Sequence, residues 1–231
     1  MQTIADRLIN AHQEIDNAIA SANRKPHSVR LLAVSKTKPV SDIELAYEAG
    51  QRLFGENYIQ EGVDKIQTLK HLPDIEWHMI GPIQSNKTKV VAEHFDWVQS
   101  IDRLKIARRL NDQRPEDMPP LNVCIQLNIE QETTKSGIIP DELPALVQEI
   151  LNLPRLSLRG LMAIPAADVT PQAQHQTLAA LQSLYNDLAA QVDTVDTLSV
   201  GMSGDMCEAI AHGSTMVRIG TAIFGARQQQ N

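Results

Sequence analysis

The fold of this chain is first visible in one short stretch near the N-terminus, Leu31-Leu32-Ala33-Val34-Ser35-Lys36-Thr37-Lys38. Its first four residues, Leu31 to Val34, are all apolar and do not alternate with polar residues. This pattern is typical of a strand buried on both faces of a parallel sheet. Pro39 then ends the strand, and Ser41 with Glu44 three residues later predicts the capping box of a new helix. The sequence therefore places Lys36 at the carboxyl end of a buried strand, the edge where α/β sheets and barrels keep their chemistry.

The same strand-and-helix unit recurs along the rest of the chain. After the first strand we predict seven more, each followed by a helix or a turn, over residues 52–57, 76–81, 97–100, 121–128, 156–164, 197–201 and 216–220. Apolar residues at helical spacing over 3–22 predict an extra N-terminal helix, and Gly50 is expected to end the helix before the second strand. About eight strands in 231 residues favour a single (β/α)₈ TIM barrel spanning residues 1–231, with an open doubly wound sheet as the alternative.

Composition narrows the class of protein. Asp and Glu number 28 against 21 Lys and Arg, and no basic stripe is present, so nucleic acid is not expected as a partner. No apolar run reaches the length of a membrane span, and Asp6, Glu14 and Asp16 argue against a signal peptide. Cys124 and Cys207 lack metal-ligand spacing and are interpreted as reduced thiols, which predicts a cytoplasmic protein with no metal site.

Groups that could carry chemistry follow the predicted strands. A partly desolvated lysine near other cations has a lowered pKa and can form a Schiff base with an aldehyde, so Lys36 is a candidate anchor; the alternative is a lysine that simply points into solvent. In a barrel the strand ends converge on one face. The other candidates at these ends are Asn57, His78, Met162, Ser203, Arg218, Gly220 and Thr221.

Two stretches after the seventh and eighth strands predict a phosphate cup. Residues 201–205 read Gly-Met-Ser-Gly-Asp at a helix start, where free backbone N–H groups and the Ser203 hydroxyl could face an anion. Gly220 permits close approach of the backbone, and Thr221 adds a hydroxyl beside it. Loops after strands seven and eight are the usual phosphate site of TIM barrels. The alternative is that Ser203 only caps the helix.

Several further residues leave alternatives open. His78 could face the site or be a satisfied core histidine, and Tyr58 adjoins Asn57. Lys38 and Lys135 are expected to be solvated, although either could serve as an entry or exit group for an aldehyde. Residues 81–88 almost match a P-loop, but Asn86 replaces the second glycine and Pro82 removes a backbone donor, which weakens the hypothesis of a nucleotide hydrolase.

Four motifs taken together resemble a known family, the YggS/PROSC family of pyridoxal phosphate homeostasis proteins. They are Ala33-Val34-Ser35-Lys36-Thr37-Lys38, Phe54-Gly55-Glu56-Asn57-Tyr58, Trp77-His78-Met79-Ile80-Gly81 with Gln84 and Asn86-Lys87, and Val217-Arg218-Ile219-Gly220-Thr221. The resemblance implies a single barrel similar to the barrel domain of alanine racemase. It also implies that Lys36 holds pyridoxal 5′-phosphate as a Schiff base.

The resemblance further assigns roles to individual residues. Ser203, Gly220 and Thr221 match phosphate-binding positions, Arg218 matches an arginine facing the pyridine nitrogen, and Asn57 matches a residue beside the cofactor. It implies binding, buffering and delivery of the cofactor, with pyridoxal-phosphate-dependent apoenzymes as recipients, rather than an established catalytic turnover.

The residues themselves bear on the choice between a carrier and an enzyme. An arginine does not readily give up a proton, so a ring nitrogen beside Arg218 stays unprotonated and is a weaker electron sink. The barrel accounts for the whole sequence, so we expect no second domain that could supply an opposing base. A carrier is favoured, with a weak amino-acid racemase or lyase as the alternative, and a monomer is the default expectation.

Overall fold

The computed structural model describes residues 2–131, 136–167 and 169–226. The prediction about Lys135 therefore lies outside the described residues. Eight parallel strands pair in sequence order from β1 to β8, and β8 pairs back with β1 to close a barrel. They are β1 (Arg30–Val34), β2 (Leu53–Glu56), β3 (Glu76–Met79), β4 (Trp97–Ile101), β5 (Leu121–Leu127), β6 (Leu156–Ala163), β7 (Thr197–Ser199) and β8 (Met216–Ile219).

Helices alternate with the strands, as parallel pairing requires. They are α1 (Ile4–Ser21), α2 (Val40–Glu48), α3 (Ile59–Thr68), α4 (Thr88–His94), α5 (Leu104–Gln113), α6 (Leu143–Leu151), α7 (Pro171–Ala189), α8 (Met206–Ala211) and α9 (Thr221–Phe224). Short 3-10 helices precede two of them, at Ser85–Lys87 and Pro140–Glu142. The predicted (β/α)₈ barrel with an added N-terminal helix is confirmed.

Two local predictions have different outcomes. Gly50 lies just beyond α2 with φ +99°, and the N–H of Gln51 donates to Ala46, so the glycine does end this helix. The capping box at Ser41 and Glu44 was wrong, because α2 begins at Val40 with Pro39 as its N-cap and no side-chain cap. A capping box is found instead at the start of α1, between Thr3 and Asp6.

The barrel has two distinct interiors. Between strands and helices lies a continuous apolar core that includes the fully buried Ile43, Phe54 and Leu121. Inside the closed sheet, Trp97, Cys124 and Met162 form a separate small apolar cluster. The remaining lumen holds buried polar side chains from β3, β4, β7 and β8, listed here: His78, Gln99, Ser199 and Arg218.

Two further features are simple findings. Both cysteines are free thiols, Cys124 buried and Cys207 exposed. Within the described part of the chain, no helix is at once long and apolar enough to cross a membrane.

Candidate functional site at the barrel mouth

Lys36 lies in a tight turn immediately after β1. The turn is closed by the N–H of Lys38, which donates to the carbonyl oxygen of Ser35 at 3.1 Å. Thr37 adopts φ +62°, an unusual conformation for a residue with a branched side chain. Lys36 itself is half-buried at the carboxyl end of the strand, as the sequence predicted.

A buried ion cluster holds this turn on both sides. The Lys65 ammonium donates to Glu56 Oε1 at 2.8 Å, to Glu61 Oε1 at 2.6 Å and to the carbonyl oxygen of Ser35 at 2.7 Å. Ser35 Oγ also donates to Glu56 Oε1, and the N–H of Thr37 donates to Glu61 Oε1 at 2.5 Å. The residues before and after Lys36 are thus tied to the same charged group, which we call the Lys65 cluster (Lys65, Glu56, Glu61 and Ser35).

The electrostatics of the Lys65 cluster reflect its burial. Burial raises the pKa of Glu56, and the charge and hydrogen bond of Lys65 oppose that rise. Glu56 Oε2 is buried with no hydrogen-bond partner among the described residues. A charged pair removed from water in this way depends on both partners being present.

Loops after β7 and β8 adjoin β1 on one arc of the mouth. A Cβ at Gly220 would lie 3.1 Å from the carbonyl oxygen of Val34, so only a small residue fits easily between the ends of β8 and β1. The N–H of Arg218 donates to the carbonyl oxygen of Gly201 at 2.9 Å, which ties β8 to the loop after β7. Thr221 begins α9 and is exposed. The predicted anchor and the two predicted phosphate loops therefore share one arc of the barrel.

Ser203 lies in the exposed turn before α8. The N-cap of α8 is Asp205, so the alternative that Ser203 caps this helix was wrong. Asp205 Oδ1 accepts the N–H of Met202 at 2.6 Å, which shapes the turn that carries the serine. Ser203 also lines a groove of about 430 Å³ between α1 and α8.

Arg218 is buried in the lumen of the barrel. Its Nη1 donates to Ser199 Oγ at 2.7 Å and to the Ser199 carbonyl at 2.8 Å, and its Nη2 donates to the carbonyl of Ala163 at 2.8 Å. These three acceptors are neutral. Burial lowers the pKa of Arg218 to about 10, so the guanidinium still carries its proton at neutral pH.

Asn57 borders a cavity of about 170 Å³ on the mouth, formed by residues at or just after the carboxyl ends of β2, β3, β5 and β6. Its Oδ1 is buried with no hydrogen-bond partner among the described residues. Gly81 packs directly against the carbonyl oxygen of Asn57, where a Cβ would collide. This contact holds the Asn57 backbone against the start of the loop after β3.

Met162 and His78 lie deeper than the other predicted site residues. Met162 is fully buried against Trp97 and Cys124 inside the barrel. The His78 ring stacks on Trp97 with 4.9 Å between ring centroids, and both of its nitrogens have partners. These contacts support the core alternative for His78, while cofactor contact by either residue stays a prediction.

Three other candidate groups are placed clearly. The expectation of a solvated Lys38 was wrong, since its ammonium donates to the carbonyl oxygens of residues 224–226 and so closes the end of α9. Tyr58 is exposed. Thr88, in the near P-loop, is fully buried and hydrogen-bonded to Ser85 and Gln113, so its hydroxyl is not available to a magnesium nucleotide.

Sequence reasoning missed the Lys65 cluster and the lumen residues Gln99 and Ser199. Glu61 and Lys65 are spaced i, i+4 on α3, which is a recognisable pairing signal. Nothing in that spacing indicates that the pair turns inward toward β1.

Residues 11–228 match the family described as "Alanine racemase, N-terminal domain". A relative from Pasteurella multocida, named pyridoxal phosphate homeostasis protein, is 57% identical over 97% of this chain and 98% of its own length. The protein of the same name from Escherichia coli K12 is 55% identical over 98% of each.

Solved structures agree with these matches. PipY of Synechococcus elongatus, with pyridoxal phosphate bound, superposes with a TM-score of 0.79 at 37% identity, covering 91% of this chain and 100% of PipY. Alanine racemase from Corynebacterium glutamicum has a TM-score of 0.71 at 15% identity, covering 96% of this chain and 62% of the racemase, a likeness of fold. On identity, coverage and fold, the chain belongs to the family of pyridoxal phosphate homeostasis proteins.

Proposed function

We propose that this chain binds pyridoxal 5′-phosphate at the mouth of its barrel and takes part in the homeostasis and supply of that cofactor. The observation that carries the proposal is the Lys36 amine, presented on a turn that the buried Lys65 cluster ties on both sides. Relatives at 55–57% identity over nearly the full length carry the name pyridoxal phosphate homeostasis protein, which supports it.

The residues at the mouth fit the chemistry of this cofactor. Lys36 offers an amine for the aldehyde, and the buried Arg218 guanidinium offers charge toward a ring nitrogen. Asn57 Oδ1 is buried and lacks a partner among the described residues, as expected of a group that awaits a ligand. A Cβ at Gly204 would meet nothing within 4 Å, so the loop beside Ser203 leaves open space for a phosphate.

We propose that Lys36 holds the cofactor covalently and that Ser203, Gly220 and Thr221 receive its phosphate. When bound, the cofactor supplies an aldehyde that reacts with amines and a ring that can withdraw electrons. Arg218 keeps its own proton at neutral pH, and therefore leaves the nitrogen that it faces unprotonated and the ring a weak electron sink. This favours a carrier that passes its cofactor to apoenzymes over a catalyst.

The test is to locate the attachment. We expect the purified protein to absorb visible light and Lys36→Ala to lose that absorbance. After borohydride reduction, peptide mapping should place the label on Lys36. Lys38→Met is the matched control, because Lys38 is committed to the end of α9. A label found only on Lys38 or Lys135 would contradict the assignment.

A further inference from the structure

A chain of side-chain hydrogen bonds crosses the barrel lumen from the start of β3 to β8. Glu76 Oε1 lies 2.8 Å from His78 Nε2, and His78 Nδ1 lies 2.9 Å from Gln99 Nε2. Ser199 Oγ lies 2.6 Å from Gln99 Oε1 and 2.7 Å from Arg218 Nη1. Since β4 and β7 are not neighbours in the sheet, the bond between Gln99 and Ser199 spans the lumen.

This chain of hydrogen bonds is shielded from solvent along most of its length. His78, Gln99 and Ser199 are each 0% exposed, and Arg218 is 4% exposed. Glu76, at the amino-terminal end of its strand, is one-third exposed and also pairs with Arg30 at 3.3 Å. The chain therefore links the amino-terminal edge of the barrel with the arginine near the opposite, functional face.

The chemistry of the groups fixes the direction of every bond. A guanidinium only donates, so Ser199 Oγ accepts from Arg218 and gives its single proton to Gln99 Oε1. The amide nitrogen of Gln99 must then face His78 Nδ1, which accepts and carries no hydrogen. His78 is left as the neutral Nε2–H tautomer.

The partner at the other end agrees with this direction. His78 Nε2–H points at the carboxylate of Glu76, an acceptor with no hydrogen of its own when ionised. The second nitrogen-bound hydrogen of the Gln99 amide points toward Met216 Sδ at 3.2 Å. Reversing the chain would place two nitrogen donors on Ser199 Oγ and a histidine lone pair against a carboxylate.

We propose that Glu76, His78, Gln99 and Ser199 are positioning residues that act in series to hold the Arg218 guanidinium in one orientation. They fix the plane and the donor directions of the arginine through the hydrogen bonds that join them in order. The role of Arg218 toward the cofactor rests on the proposed function. The order of the hydrogen bonds from Glu76 to Arg218 is a property of the protein alone. A substitution at the amino-terminal edge of the barrel therefore changes the orientation of Arg218 near the mouth.

The test begins on ¹⁵N-labelled protein without added cofactor, at neutral pH. Long-range proton–nitrogen spectra should show His78 Nδ1 as an acceptor and Nε2 as the protonated nitrogen. We expect Gln99→Leu to speed the exchange of the Arg218 guanidinium protons with water by about tenfold, the effect of losing an ordered hydrogen-bond partner of a charged group. Cys124→Ala is the matched control, since Cys124 is buried in the same lumen but outside the chain.

Two results would overturn the proposal: a His78 that carries its proton on Nδ1, or Arg218 exchange that is the same in Gln99→Leu and in Cys124→Ala. Two variants test the exposed end. We expect Glu76→Leu to lose protection of the Arg218 guanidinium protons from exchange, and Glu76→Gln, which keeps an acceptor, to retain most of that protection. The spectra need no bound cofactor. A wild-type protein that retains no pyridoxal phosphate would therefore refute the proposed function, whereas the His78 tautomer tests the hydrogen-bond chain independently of cofactor binding.

Discussion

The Lys65 ammonium donates a 2.7 Å hydrogen bond to the carbonyl oxygen of Ser35, the residue that directly precedes Lys36. Lys65 is on the first helix after β2, so this bond fixes the turn after β1 from a neighbouring strand–helix unit. The same nitrogen forms ion pairs with Glu56 and Glu61, whose oxygens also accept from Ser35 and Thr37. One buried cation thus sets the conformation on both sides of the predicted anchor.

The first prediction concerns stability. Lys65→Met leaves a buried carboxylate without its cation, so we expect the free energy of unfolding to fall by about 3–5 kcal/mol. Urea denaturation followed by circular dichroism measures the change. Lys70→Met, an exposed lysine just beyond the same helix, should change stability by less than about 0.5 kcal/mol. Equal effects of the two substitutions would show that the Lys65 cluster contributes nothing specific.

The architecture could be predicted from the sequence because a buried parallel strand appears as a continuous run of apolar residues. The apolar run before Ser35 and the capping glycine at position 50 each predicted an element end to within a residue or two. The closure of the barrel followed from counting such units. None of this needed knowledge of a contact between distant residues.

The contacts that organise the site have no such local pattern in the sequence. Gln99 and Ser199 are one hundred positions apart and meet only because the barrel closes. Lys65 looks like an ordinary surface residue of an amphipathic helix, yet only 6% of its side chain is exposed. A buried charge is recognised only when its partners are seen in space. For that reason the sequence could suggest Lys36 as a candidate anchor but gave no sign of the groups that hold its turn.

The second prediction concerns pH. Burial lowers the pKa of His78 below 6.5; the Arg30 and Arg159 guanidiniums add to this effect, while the hydrogen bond and charge of Glu76 oppose it. The folded state therefore favours neutral His78, and the unfolded chain binds more protons once the pH falls below about 6.5. The contribution of this residue to stability is complete above that pH and is lost as the pH falls toward the folded-state pKa.

Unfolding free energies measured from pH 7.5 down to about pH 5 test this sign. One proton gives a slope of at most about 1.4 kcal/mol per pH unit. We expect His78→Gln, which keeps an acceptor and a donor in the lumen, to show a shallower decline than the wild type. Parallel curves for the two proteins would contradict a depressed His78 pKa.

The third prediction concerns the phosphate loops. Replacing Ser203 or Thr221 by Ala should weaken retention of pyridoxal phosphate by about 1–3 kcal/mol each, the usual loss for a hydrogen bond to a charged group. Equilibrium dialysis measures the affinity, and Ser157→Ala, on the amino-terminal half of β6, is the control. Unphosphorylated pyridoxal should bind far more weakly to the wild type. Similar affinity for both forms would refute the proposed phosphate cup.

The last prediction separates a carrier from an enzyme. If Lys36 holds the cofactor as we propose, an amino acid could take its place, because that exchange needs only a nucleophilic amine with access to the site. Loss of the α-proton is harder, since Arg218 keeps its proton at neutral pH, with a pKa of about 10, and gives no positive charge to the ring nitrogen by proton transfer. The negative charge left by the departing proton would find little stabilisation.

We therefore expect, in deuterated water with excess L-alanine, a change in the visible spectrum without appreciable α-deuterium incorporation or formation of the D-isomer. Proton nuclear magnetic resonance follows the α-position directly, and chiral chromatography follows the isomer. When an apoenzyme that needs pyridoxal phosphate is supplied, its activity should appear as the carrier loses its absorbance. Steady deuterium incorporation that Lys36→Ala abolishes would make the protein an enzyme and overturn the carrier assignment.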